Sequence, residues 1–178
     1  MLLGKIIGQT AVVSVSILCG YGVAALIAFF TYGSFSLRVF AAYTLLSILY
    51  GLVCISIAVS VSACTSSREW AIIGAGSVYL VFIFFWDAIV GVLNVVFVEN
   101  PSQPAAHPDW LVILRYVNPS TAFAQATRAT IPATREITTY PLLRATSWLD
   151  WYGLIVLSLW IAISVGISHF LFDRADLN

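Results

Sequence analysis

Four long apolar runs, parted by two short polar breaks and one long one, organise the chain. Charge-free stretches extend from Ile6 to Leu37, from Val39 to Ser67, from Trp70 to Val98 with Asp87 as the lone interruption, and from Trp151 to Phe172. Each exceeds or matches the roughly 20 residues that a helix needs to cross a bilayer's hydrocarbon core. The pattern predicts an all-α fold, a polytopic transmembrane helix bundle with spans at about 6–32, 39–64, 70–98 and 148–172. An even number of crossings puts both ends of the chain on one side. The first run continues through Tyr32 without a small-x-small cleavage site, whereas the apolar core of a signal peptide is about 7 to 15 residues long. It reads as a permanent span.

The breaks carry their own signals. Gly33-Ser34-Phe35-Ser36 makes a tight turn between the first two spans, and Thr65-Ser66-Ser67-Arg68-Glu69 joins the second to the third. In the latter, Ser66 and Glu69 have capping-box spacing, which predicts a cytoplasmic or external turn in which Ser66 starts the third helix beside Arg68. From Glu99 to Ser147 the composition changes: all six prolines lie here and none of the eleven glycines does. Because a bilayer core tolerates only hydrogen-bonded backbone, this Pro-rich loop, 99–147, must lie outside the hydrocarbon or be buried against protein. Within it, Asn118 is placed to cap a helix that begins at Pro119, where the missing N–H costs nothing, and runs to about Ile131. Its Phe123, Thr127, Thr130 and Ile131 face is modestly apolar, with Gln125 and Arg128 on another side, so a short interfacial helix at about 119–131, lying at the interface or dipping into it, is expected.

Composition sharpens the class. Hydrophobic residues make up 61% of the 178 positions and charged residues 9%, against about 25% charged in a soluble domain. Net charge is zero, so no basic field draws in nucleic acid, and that partner is excluded. Cys19, Cys54 and Cys64 lie within or at the ends of apolar runs and give no disulfide framework. Tyr32, Trp70, Trp110, Trp148, Trp151 and Tyr152 sit where spans should meet headgroups. Basic residues number three on the side of the termini (Lys5, Arg68, Arg174) and five on the other (Arg38, Arg115, Arg128, Arg135, Arg144). Four of those five are spread along a long loop, where the positive-inside rule counts them weakly, so charge leaves orientation open.

Small residues recur every fourth position at Ser16, Gly20, Ala24 and Ala28 in the first span, and at Ser56, Ser60 and Cys64 in the second, with Cys54, Ala58 and Ser62 on an adjacent face. Such spacing allows close helix approach, as a moving seam or as ordinary bundle packing. Asp87, after Phe82-Ile83-Phe84-Phe85-Trp86, is the most pointed intramembrane residue: it either faces a polar cavity or translocation path, with Asn94 as a second polar member, or sits where the span nears the surface. Asp150 and His169 lie near the ends of the last span, where snorkelling to water is the cheaper reading. No paired Cys or His spacing supports a metal site. Gly74-Ala75-Gly76-Ser77 is one position off a Gly-x-Ser-Gly pattern and reads as packing, so no catalytic residue is expected. No phosphate-binding loop is present, so any nucleotide hydrolysis must belong to another chain.

Taken in order, the "SSRE" turn, the third span with "FFWD", the loop stretch "LRYVNPSTAFAQATRA", the last span and the charged tail "FDRADL" together resemble the membrane subunit of an ABC transporter of the ABC-2 type. The likeness is greatest to archaeal and bacterial permeases related to the nitrous-oxide-reductase maturation permease, and it covers essentially residues 1–178 as one membrane domain. The resemblance implies a permease that forms the translocation path, binds no cofactor itself, and works with a second permease chain and an ABC ATPase subunit that carries the ATP. It implies a plasma-membrane location, cytoplasmic termini, a cytoplasmic turn at Ser66, Arg68 and Glu69, and an external 99–147 loop whose short helices return toward the membrane. Family members typically have six spans; the four here match the third to sixth, which implies a fragment or a mis-started reading frame, or else a shortened permease that relies on a partner. A non-transporting membrane scaffold and, more remotely, an intramembrane hydrolase are the alternative classes.

Overall fold

The computed structural model describes residues 2–65, 67–98, 108–135 and 149–175. Every regular element among them is helical. Helices α1 (Leu2–Tyr32), α2 (Leu37–Ala63), a third span made of α3 (Arg68–Leu80), a π-helical turn (Val81–Phe85) and α4 (Trp86–Phe97), and α7 (Tyr152–Ala175) supply four segments long and apolar enough to cross a membrane. Two short helices lie between the last two spans, α5 (Asp109–Val117) and α6 (Pro119–Thr130), followed by single 3-10 turns at Pro132–Arg135 and Leu149–Trp151. The four-span reading therefore stands, while α5 and the π-turn are additions that the apolar pattern did not reveal. Ser66, Trp148 and residues 99–107 and 136–147 of the Pro-rich segment lie outside the described residues.

The ends of the helices follow from local chemistry. Gly33 terminates α1 at φ +65°, a left-handed conformation that favours glycine, and its N–H closes the last turn onto Phe29 O at 2.9 Å. Helix α3 begins one residue later than its capping-box spacing suggested. Ser67 is the N-cap, in extended conformation, and its hydroxyl accepts from Trp70 N–H at 3.3 Å. Glu69 consequently sits in the first turn, where a carboxylate complements the helix dipole, rather than at the position from which it would reach back to the cap.

Helix α2 is the hub, packing against α1, α3, α6 and α7. Leu46 and Val53 of α2, Ala122 and Ala126 of α6 and Leu157 of α7 form the main buried cluster, and Val90, Val98 and Leu111 form a second one between α4 and α5. The α2–α7 contact is polar as well as close. Ser60 Oγ lies 2.8 Å from Ser56 O and 2.7 Å from Ser164 O, Ser168 Oγ lies 3.1 Å from Ser60 Oγ, and Ser56, Ser60, Ser164 and Ser168 are all buried. Here the small residues of α2 let two spans approach and let hydroxyls reach backbone across the gap.

The small-residue stripe of α1 is placed differently. Ser16, Gly20 and Ala24 are exposed and Ala28 half-buried, and a methyl group added to Gly20 would meet nothing within 4 Å. As a seam within this chain, the expectation for α1 is corrected: the helix meets α2 through Tyr21, whose hydroxyl lies 3.1 Å from Ser47 Oγ and whose ring stacks on Tyr43, and through Val13, which fills the space left by Gly51. The stripe is open because, among the described residues, α1 packs mainly against α2.

Candidate functional site: a re-entrant hairpin at mid-depth

Helices α5 and α6 form a hairpin folded into the bundle. Their lengths of 9 and 12 residues correspond to about 13 and 18 Å, half of a hydrocarbon core of about 30 Å. The tip, Val117-Asn118-Pro119-Ser120, meets the middle of the spans around it. Ser120 Oγ lies 2.9 Å from the hydroxyl of Tyr50, the central residue of α2, and Asn118 Nδ2 donates to O of Phe82, at the centre of the third span, at 2.8 Å. Trp160, about two turns into α7, donates its indole N–H to Val117 O at 2.8 Å. The 119–131 helix is thus an interior element, which corrects the expectation of an interfacial one.

A turn at such depth survives only if its backbone is satisfied without water. The carbonyls at the end of α5 lack helical donors. Trp86 Nε1 donates to Leu114 O at 3.2 Å, Asn118 N–H to Arg115 O at 3.4 Å, and Trp160 Nε1 to Val117 O. At the start of α6, Asn118 Oδ1 accepts from Ser120 N–H at 2.9 Å, and Pro119 needs no acceptor. Asn118 therefore serves both helices and the third span at once, and it is 2% exposed.

Each arm of the hairpin carries a buried arginine matched by an acid on an adjoining segment. Arg115 Nη2 of α5 lies 3.3 Å from Asp87 Oδ1 in the first turn of α4; the arginine side chain is 10% exposed and the aspartate 52%. Arg128 Nε of α6 lies 3.4 Å from Asp150 Oδ1, and Arg135 Nε lies 3.5 Å from Asp150 Oδ2 and donates to Arg128 O at 3.2 Å. Asp150 is buried inside this triad, so the reading that it snorkels to water is corrected. The reason is tertiary: two guanidinium groups brought by α6 and the turn after it neutralise the carboxylate where it stands.

The face of α6 was also misjudged. Thr121, Gln125, Ala126, Thr127 and Arg128 are buried, whereas Phe123 and Thr130 are half-buried. The helix presents polar side chains to the start of α7, and Gly153 makes this possible: a methyl there would strike Ala122 O, and would come within 2.7 Å of Ala126 N and 2.9 Å of Gln125 Cβ. The side-chain amide of Gln125 has no hydrogen-bond partner among the described residues, and Asn94 Oδ1 is likewise buried without one.

The residues singled out from the sequence thus divide. Asn118, Pro119 and Asp87 meet at the hairpin; Ser56 and Ser60 line the α2–α7 contact on the same hub helix; Asn94 lies two turns further along α4 than Asp87; and Arg68 and Glu69 stand at the opposite end of the third span. A cleft of about 510 Å³ opens at that end, lined by Gln9 of α1, Ser62 and Thr65 of α2 and its turn, and Arg68 and Ala75 of α3. Trp86, Trp160, Arg115 and Gly153 were missed. The two tryptophans had a signal, since both lie inside spans, away from the headgroup level, and a buried indole N–H requires an acceptor.

Among the described residues no group of three or more His, Cys, Asp or Glu side chains is arranged to hold a metal. The comparisons with known proteins agree with a transport scaffold of this kind. The profile of the ABC-2 family transporter proteins matches residues 1–177. Neither the curated proteins nor the solved structures yield a match. A multi-pass helical chain matched almost end to end by that profile belongs to the ABC-2 family of transporter membrane proteins, as a permease domain whose kind carries no ATPase activity of its own.

Proposed function

We propose that this permease forms one half of a translocation path with a second permease chain, that each half engages a separate ATP-hydrolysing subunit, and that the α4 face bearing Asp87 and Asn94 borders the path. One observation carries the reading of the path. The Asp87 carboxylate is half-exposed on the flank of a membrane-spanning segment, about 7 Å along the helix from its centre. A charge facing lipid at the centre of a span costs roughly 2.5–3.5 kcal/mol on insertion scales, so a polar cavity or a partner chain is the favoured neighbour of this face. The ion pair with Arg115 lowers the cost but leaves the outer side of the carboxylate open.

On this reading the hairpin side of the bundle is external and the termini and the Arg68–Glu69 turn are cytoplasmic, in a plasma-membrane transporter. The resemblance of the sequence to permeases related to the nitrous-oxide-reductase maturation permease supports this orientation. The outward stripe of Ser16, Gly20 and Ala24 on α1 is suited to close approach by a further helix.

Asp87→Asn alone would take a counter-charge from a buried arginine, so the informative variant is Asp87→Asn combined with Arg115→Gln. If Asp87 borders the path, the double variant accumulates in the membrane at normal levels and retains its ATPase partner, yet loses transport-coupled ATP turnover. Full turnover in the double variant would reduce Asp87 to a structural counter-charge. Copurification distinguishes the transporter from a scaffold: mild-detergent isolation of the full chain brings down a phosphate-loop ATPase in the first case and none in the second.

A further inference from the structure

The third span is not one continuous α-helix. Over Val81–Phe85 it makes a π-turn, and Trp86 N–H donates to Val81 O, five residues back. Phe82 O, whose helical donor would have been that same N–H, receives Asn118 Nδ2 from the hairpin instead. The first two residues of α4 are tied to the hairpin as well, Trp86 through its indole N–H to Leu114 O and Asp87 through its carboxylate to Arg115. Three bonds from the junction of the π-turn and α4 therefore end within residues 114–118. Helix α3, on the other side of the turn, contains no buried residue and packs on α2.

A π-turn holds one residue more than the α-helical ladder around it. Closing the ladder would rotate α4 against α3 by about 100° and shift it by about 1.5 Å, the increments of one residue. Such a change cannot occur while Phe82 O, Leu114 O and Arg115 hold their present partners. The geometry thus has the parts of a two-register element: a turn that can absorb the change, a rigid helix beyond it, and a set of bonds that selects one register.

We propose that the Val81–Phe85 π-turn is a hinge between two registers of the third span, with Asn118 as its lock, so that displacement of the α5–α6 hairpin and rotation of α4 are a single event. This rests on the permease reading, in which the membrane subunit must adopt two states that its partners distinguish. In the locked register Asp87 is turned toward Arg115. In the other, the Asp87 and Gly91 face swings by more than a quarter turn, which changes the surface offered to the path.

The test uses the full chain in lipid nanodiscs without ATPase or substrate, with Cys19, Cys54 and Cys64 replaced by alanine and spin labels at Leu45 of α2 and Val95 of α4, both exposed. Deleting Ile83 removes the extra residue, so the ladder closes with α4 in its present orientation and the variant gives the distance of the locked register; a rotation of 100° on a helix 10–12 Å across displaces the α4 label from it by up to about 9 Å. Asn118→Ser keeps an N-cap hydroxyl but removes the donor to Phe82 O; Trp86→Phe keeps the ring but removes the donor to Leu114 O. The wild type should show one distance, that of the Ile83 deletion, and each substitution should add a second population displaced from it. A single wild-type distance in both substituted proteins, folded and inserted, would overturn the hinge. That result would leave ATPase copurification untouched, whereas failure of copurification with intact hinge behaviour would count against the permease reading alone.

Discussion

Asn118 performs two opposed tasks with one amide: its oxygen accepts from the first turn of α6 and its nitrogen donates to the third span. Removing both should therefore cost more than removing one. Asn118→Ala is expected to lose about 1 kcal/mol for the cap and a further 1–3 kcal/mol for a buried carbonyl left without its donor, while Asn118→Ser retains most of the first contribution. Thermal unfolding of the detergent-solubilised chain should rank wild type above Asn118→Ser above Asn118→Ala; equal midpoints for the two variants would place the whole effect in the lost donor to Phe82 O. Asp150 presents a sharper case. Asp150→Asn leaves Arg128 and Arg135 without their shared counter-charge, and loss of one partner from a buried ion pair costs about 3–5 kcal/mol. The variant should be retained poorly in membranes, and accumulation at wild-type levels would show that the triad contributes little.

At the scale of elements, the hairpin depends on close approach between α6 and α7. Gly153→Ala would drive a methyl group into the α6 backbone at Ala122 and Ala126. Overpacking typically costs 1–3 kcal/mol, and here the relief is movement of α6 itself. Protease or thiol accessibility of residues 119–130 should rise in this variant, while the α2–α7 serine contact, further along α7, stays protected; unchanged protection of α6 would contradict the packing. The spans were legible in the sequence because twenty or more apolar residues in a row admit few other structures, and the start of α6 was legible because Asn-Pro has specific capping chemistry. Helix α5 was not. Its nine residues are too short for a periodic signal, and Leu111-Val112-Ile113-Leu114 reads equally well in an extended strand. The burial of Arg128 was also illegible, because its acid, Asp150, arrives only through the fold. The π-turn left no mark in Val81-Phe82-Ile83-Phe84-Phe85, and the side chain that bonds Phe82 O comes from Asn118, 36 residues away.

At the scale of the whole molecule, the four spans do not close into a self-contained bundle. None of the most apolar window of α1 is buried, and little of the third span is, whereas α2 and α7 hold the hairpin between them. The arrangement separates a fixed pair, α2 and α7 with their buried serine contact, from a looser part whose α4 face carries the half-exposed Asp87. A permease that alternates between two states needs this division, because packed interfaces change by discrete steps and only the loosely held part is free to move. Gly91, one turn beyond Asp87, is exposed, and a side chain there would meet nothing within 4 Å. The decisive measurement is the rate at which a water-soluble thiol reagent modifies Gly91→Cys, with the three native cysteines replaced, in membranes containing the chain and its ATPase. If α4 borders a transport path, the thiol reacts, and its rate changes several-fold when ATP is bound. A thiol that stays unreactive with and without ATP would mean that this face is sealed in lipid or protein, and the account of the path would be wrong.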